Sequence, residues 1–184
     1  MKSQLSRIDR QGGFSAIEMI AVLAAMALIS GIAVFSYDQS NSRGIALSSA
    51  MNDYANAMLM AKNDFSCYPT RMDVLFDPTK ANADNSFCGL DISAQWHQRY
   101  AQPAPVDGSG NIIISNIGAG ATLGITQSQD SIGTHWRITA SHIPNEVLPK
   151  ALTACNGARQ SAGRCVAAEG SSGNGTLTLE FDLT

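Results

Sequence analysis

No proline falls between Phe14 and Tyr68, so nothing in that stretch denies a helix its backbone hydrogen bonds. There is no long run of like charge, and the formal net charge is only −3. Without a basic surface no nucleic-acid partner is expected. No C-x-x-C pair and no cysteine beside a histidine supplies the ligand spacing of a zinc site. Gly118-Ala-Gly120 is too short for a phosphate loop, and the serines sit in turns rather than at a strand-to-helix elbow. His97, His135 and His142 share no spacing with a nucleophile or a ligand set, so each reads as a surface or sheet residue. Trp96 and Trp136 read as core, and Asn174-Gly-Thr176 as a chance match to a glycosylation triplet. The expectation is a chain with no enzymatic activity, no metal and no cofactor. At 184 residues it can build one domain with a core, but not two.

What is present is concentrated at the start. Residues 1–13, MKSQLSRIDRQGG, set Lys2, Arg7 and Arg10 against Asp9. The next 24 residues, Phe14 to Tyr37, are apolar and carry one charged side chain, Glu18. As a helix at ~1.5 Å per residue they would cover about 36 Å, enough to cross a hydrocarbon core of roughly 30 Å. The basic flank places the N-terminus in the cytoplasm and the remainder outside. An ordinary cleaved signal has a shorter apolar core followed by a small-residue cut site, and SGIAVFSYDQS offers a poor one. A plain signal anchor fits the length but leaves Glu18 without a purpose. A lone charge costs about 2.5–3.5 kcal/mol at the bilayer centre and less near the interface.

Gly13-Phe14-Ser15-Ala16-Ile17-Glu18 resembles the class III signal of type IV prepilins. In that family a basic leader ends in Gly, an aromatic or aliphatic residue opens the mature chain, and Glu is its fifth residue. Gly12-Gly13 offers two cuts, and only cleavage after Gly13 makes Glu18 the fifth. The resemblance implies that a membrane prepilin peptidase cuts between Gly13 and Phe14 and N-methylates Phe14. It implies that Glu18 then meets the new Phe14 amine of a neighbouring copy, fixing register in a helical homo-oligomer. It also implies an assembly platform driven by a cytoplasmic ATPase, with the precursor in the inner membrane and the product an extracellular pilus. The fold expected from the family is α+β: a long N-terminal helix, its apolar half protruding, packed on an antiparallel sheet.

The domain plan is a leader over 1–13, an apolar half-helix over 14–37 and a head over 38–184 that includes an amphipathic half-helix over 38–66. Leu47, Met51, Tyr54, Met58, Ala61 and Phe65 recur at alternating steps of four and three, one helical stripe. Ser48, Asn52, Asp53, Asn56 and Lys62 fall on other faces. Pro69 closes a helix of about 50 residues. Gly31 and Gly44 are its weak points, each costing ~1 kcal/mol relative to Ala. Many pilins carry a proline in the apolar half; here none exists, so local melting on assembly would use Gly31.

Downstream, Asn111–Ile117, Ala121–Gln127 and Thr134–Ala140 read as strands. Ile143–Cys155 reads as a short helix in which Pro149 argues for a break or a late start, and Asn156–Gly175 as a Gly/Ser-rich loop. The last strand, Thr176–Leu183, alternates with Leu177, Leu179, Phe181 and Leu183 on one face. About four strands against the amphipathic half-helix are expected. Cys67, Cys88, Cys155 and Cys165 all follow the apolar run, and an even number there suggests two disulfides. Neighbour pairing is the simplest of three connectivities, and the other two stay open. Within the family, the long head, the helix after Ser141-His142-Ile143-Pro144 and the returning C-terminal strand look more like type IVb than type IVa. The resemblance implies a major pilin for adhesion, aggregation, motility or conjugation. The alternatives are a secretion pseudopilin or minor pilin, and a membrane-anchored periplasmic binding module. Major pseudopilins tend to carry a calcium loop near the C-terminus, where this chain has few carboxylates.

Overall fold

The structure is a computed structural model that describes residues 16–157 and 163–184, with side chains from residue 39 onward. Helix α1 runs Ala16–Phe65, the 50-residue length that the absence of proline predicts. The chain divides into two units, Met1–Asp38 and Gln39–Thr184. Of the first, only the backbone of α1 is described. Among the described residues no helix is long and apolar enough to cross a membrane. The side chains of Phe14 to Tyr37 lie outside that description.

In the second unit, α1 buries the predicted stripe. Leu47, Met51, Met58 and Ala61 are wholly enclosed, Phe65 is nearly so, and Tyr54 packs at the margin. The buried face is wider than the stripe, because Ser48, Ala55 and Ala57 are enclosed with it. Gly44 is buried too, and not as a weak point. A Cβ placed there would lie 2.5 Å from Lys150 Cβ and 2.7 Å from the Ala151 nitrogen. The bare backbone lets a second helix, α2 (Leu148–Asn156), approach at that position.

The sheet has five strands, all antiparallel, in the order β1-β2-β3-β5-β4. They are β1 (Ile112–Ile113), β2 (Thr122–Gln129), β3 (Thr134–Pro144), β4 (Cys165–Ala168) and β5 (Asn174–Leu183). β4 lies in the stretch that reads as loop, because Cys165-Val-Ala-Ala is short and its pairing partner is distant in sequence. The face shared with α1 carries Leu123, Trp136, Ile138, Ala140, Leu177 and Leu179, all in one continuous core. Trp136 is core as expected. Trp96 is half-buried, its indole N–H donating to the Val74 carbonyl at 2.9 Å.

β1 is only Ile112–Ile113 where Asn111–Ile117 reads as a strand, and two further boundaries differ for local reasons. Ile143 and Pro144 extend β3 past a register shift at Ala140/Ile143, where His142 sits at φ +58°. α2 therefore starts late, with Pro149 in its first turn, where a missing N–H costs nothing. In β5, a bulge places Glu180 opposite Arg137 but Asp182 opposite Trp136. Phe181 is the extra residue, and strict alternation ends there. Leu183 is consequently 47% exposed rather than in the core.

Both neighbour pairs are disulfides, Cys67–Cys88 and Cys155–Cys165, each with Cα atoms 6.2 Å apart. The first closes a loop whose one-turn helix, Met72–Leu75, is wholly buried in the core. Converting Cys67 and Cys88 together to Ala should lower stability by roughly 3 kcal/mol and Tm by about 10 °C. A thermal melt of the double variant that superposes on wild type would refute that assignment of weight.

Candidate functional site

The sequence-predicted assembly residues fall at the edge of what is described. Gly13 and Phe14 lie outside the described residues, and Glu18 contributes backbone to α1 with no described side chain. Cys67, Cys88, Cys155 and Cys165 are the predicted positions whose geometry is described, and all four are cross-linked.

Two polar clusters that were not legible in the sequence lie where the start of β3 pairs with the C-terminal half of β5. In the first, the end of α1 is tied to the end of β5. Lys62 Nζ and the Tyr68 hydroxyl both donate to Asp182 Oδ2, the latter at 2.6 Å. The Lys62 ammonium also stands 4.9 Å from the Tyr68 ring centre. Burial alone would raise the Asp182 carboxyl, but the Lys62 and Tyr68 hydrogen bonds and the Lys62 charge hold it below the usual range. Burial, then the Asp182 bond, pushes the Tyr68 hydroxyl up, so it stays a donor. Tyr68 further packs against Trp136 at 4.4 Å and edge-on to Phe181 at 5.6 Å between ring centres. This is a structural clasp, in which the β5 bulge brings Phe181 and Asp182 together onto Tyr68.

The second cluster centres on His135. Its Nε2 lies 2.8 Å from Asp130 Oδ2, and its Nδ1 lies 2.9 Å from Glu180 Oε2. Asp130 belongs to the turn between β2 and β3, where its other oxygen accepts from the Ile132 and Gly133 amides. Glu180 belongs to β5 and also receives Arg137 Nε at 3.0 Å. The Asp130 bond foremost, then the Glu180 bond and both charges, hold the His135 imidazole above its ordinary value against a lesser opposing desolvation. The same contact, after the Ile132 amide, holds Asp130 low. The sequence reading of His135 as a lone sheet residue missed this, because Glu180 is 45 positions away and only the β3–β5 register joins them. The Asp130-Ser-Ile-Gly133 spacing was a readable turn signal for the other half.

His97 and His142 are exposed. Among the described residues no group of His, Cys, Asp and Glu is arranged to hold a metal ion. An open groove on the head is lined by Arg137, Arg164, Val166 and Glu180, among others.

No protein-family model, no curated protein and no solved structure matches the chain.

Proposed function

We propose that the chain is the precursor of a structural subunit, the major pilin, of a type IV pilus. The observation that carries this is Glu18, five positions after Gly13 and alone among the charges of a 24-residue apolar run. A carboxylate in such a run is costly unless it has a partner. Cleavage between Gly13 and Phe14 manufactures one, the new α-amino group, which is cationic at neutral pH. Two charges that are each expensive in an apolar stack become an ion pair between neighbouring copies. Its attraction rises as the local dielectric falls. The pair fixes register more than it adds raw stability.

The rest of the chain is compatible with this reading. An uninterrupted helix from Ala16 to Phe65 offers one end for a filament core and the other as the spine of an α+β head. Two disulfides suit a head that faces an oxidising exterior. On this reading the fold is that of the type IV pilins, closer to type IVb. The apolar helices hold the polymer by burying against one another at about 25 cal/mol per Å². A prepilin peptidase, an inner-membrane platform and its ATPase act on the chain, which passes from inner membrane to cell surface. Removing the leader, with three basic residues and one acid, takes the net charge from −3 to −5 before the new amine is counted.

Mass spectrometry of the protein sheared from the cell surface tests the proposal. The expected chain begins at an N-methylated Phe14. A chain found only with residues 1–13 attached would overturn it and support a simple anchor.

A further inference from the structure

The β2–β3 turn, the start of β3 and the C-terminal half of β5 are joined through one imidazole. Both nitrogens of His135 face carboxylate oxygens, at 2.8 Å and 2.9 Å. A carboxylate only accepts, so both contacts are hydrogen bonds only when both ring nitrogens carry protons. The imidazole is only 10% exposed, whereas the Asp130 side chain is 50% exposed, so a released Asp130 carboxylate passes to water. We propose that His135 is a proton-operated latch: protonated, it pins the β2–β3 turn to β5, and neutral, it releases the turn.

The neighbouring charges decide which link breaks. Glu180 also holds Arg137, through Nε at 3.0 Å and the terminal nitrogen at 2.9 Å, so it keeps a cation when the imidazole is neutral. Among the described residues the cation at Asp130 Oδ2 is His135; its other oxygen is engaged by the Ile132 and Gly133 amides. Lys62 of α1 and Asp182 of β5 satisfy each other. Ser128, opposite His135 on β2, is uncharged and receives Arg137. A neutral ring retains one N–H and turns a lone pair toward the other carboxylate, and Asp130, without a second cation among the described residues and half-exposed to water, is the side that lets go. Ile132, which the turn displays at 75% exposure, moves with it.

The sign follows from the raised imidazole. A group whose folded value lies above the unfolded one, about 6.5, contributes fully below that value. The contribution disappears as pH climbs through the higher folded value. The turn is therefore ordered in mild acid and loosened in mild alkali. This inference does not rest on the filament proposal and survives its failure.

The test uses the full chain in detergent micelles, between about pH 5.5 and 8.5. Imidazole resonances are followed by NMR alongside amide-exchange protection factors. The His135 midpoint should lie above its ordinary value, and protection at Ile132 and Gly133 should fall ~10-fold across it. Protection at Leu177 and Leu179 should hold steady. His135→Gln should show low, pH-independent protection in the turn. Should that variant fail to fold, Asp130→Asn serves, and its His135 midpoint should move down. Protection flat with pH in the wild type, a step that persists in His135→Gln, or an unmoved midpoint in Asp130→Asn each overturns the latch.

Discussion

Cells producing the Glu18→Ala chain should show no surface filaments by electron microscopy, while the processed protein accumulates in the membrane fraction. The loss is expected to be near complete because of what the substitution leaves behind. On the proposed reading, cleavage still exposes the Phe14 amine, and that cation now has no carboxylate to meet in an apolar stack. Removing one member of a buried pair costs about 3–5 kcal/mol, because the survivor is left uncompensated. That penalty recurs at each subunit added, so it opposes growth throughout the polymer. Glu18→Gln keeps the size and removes the charge, and it should fail in the same way. Filaments of wild-type abundance in either variant would show that the ion pair is not what sets subunit register.

Gly44→Ala should destabilise the head, although helix propensity alone predicts the opposite. In an exposed helix interior the change would gain ~1 kcal/mol. Here the added methyl would lie 2.5 Å from Lys150 Cβ, 2.7 Å from the Ala151 nitrogen and 2.8 Å from the Lys150 carbonyl carbon. Two of those three atoms are backbone of α2, which cannot turn aside as a flexible side chain can. Leu148 and Ala151 are enclosed in the core, so α2 cannot retreat without opening it. Overpacking of this kind costs about 1–3 kcal/mol, which exceeds the propensity gain. Gly44→Val adds two more carbons and should lose roughly 3 kcal/mol or more. Thermal melts decide by sign alone. A higher Tm for Gly44→Ala would mean that α2 yields and that the close approach is not a constraint.

Local pattern made some of this fold legible and left other parts dark. The stripe from Leu47 to Phe65 and the missing proline gave α1 both its length and its buried face, because helical periodicity is a property of neighbours. The neighbour disulfides were readable as one of three options. What resisted reading depends on partners far along the chain. β4 is four residues whose strand character comes from pairing with β5, and the β5 bulge exists only relative to β3. Gly44 looked like a cost because nothing nearby announces a helix more than 100 residues later. His135 looked solitary because its carboxylates come from a turn and from another strand. The candidate assembly residues are the reverse case. Gly13, Phe14 and Glu18 are read from adjacent letters, and the motif stands on spacing alone.

The strand order carries a consequence for how the chain is made. Among the described residues β5 is the last strand in sequence yet lies between β3 and β4, and it is the sole strand paired with β4. Its Asp182 also closes the clasp on Lys62, 120 positions upstream. A growing polypeptide can pair β1 to β3 before residues 174–183 are made, but β3 keeps an open edge until β5 arrives. The N-terminal helix is therefore made long before the head can shut, and translation stopped short of residue 174 leaves β3 with an open edge and β4 without its β5 partner.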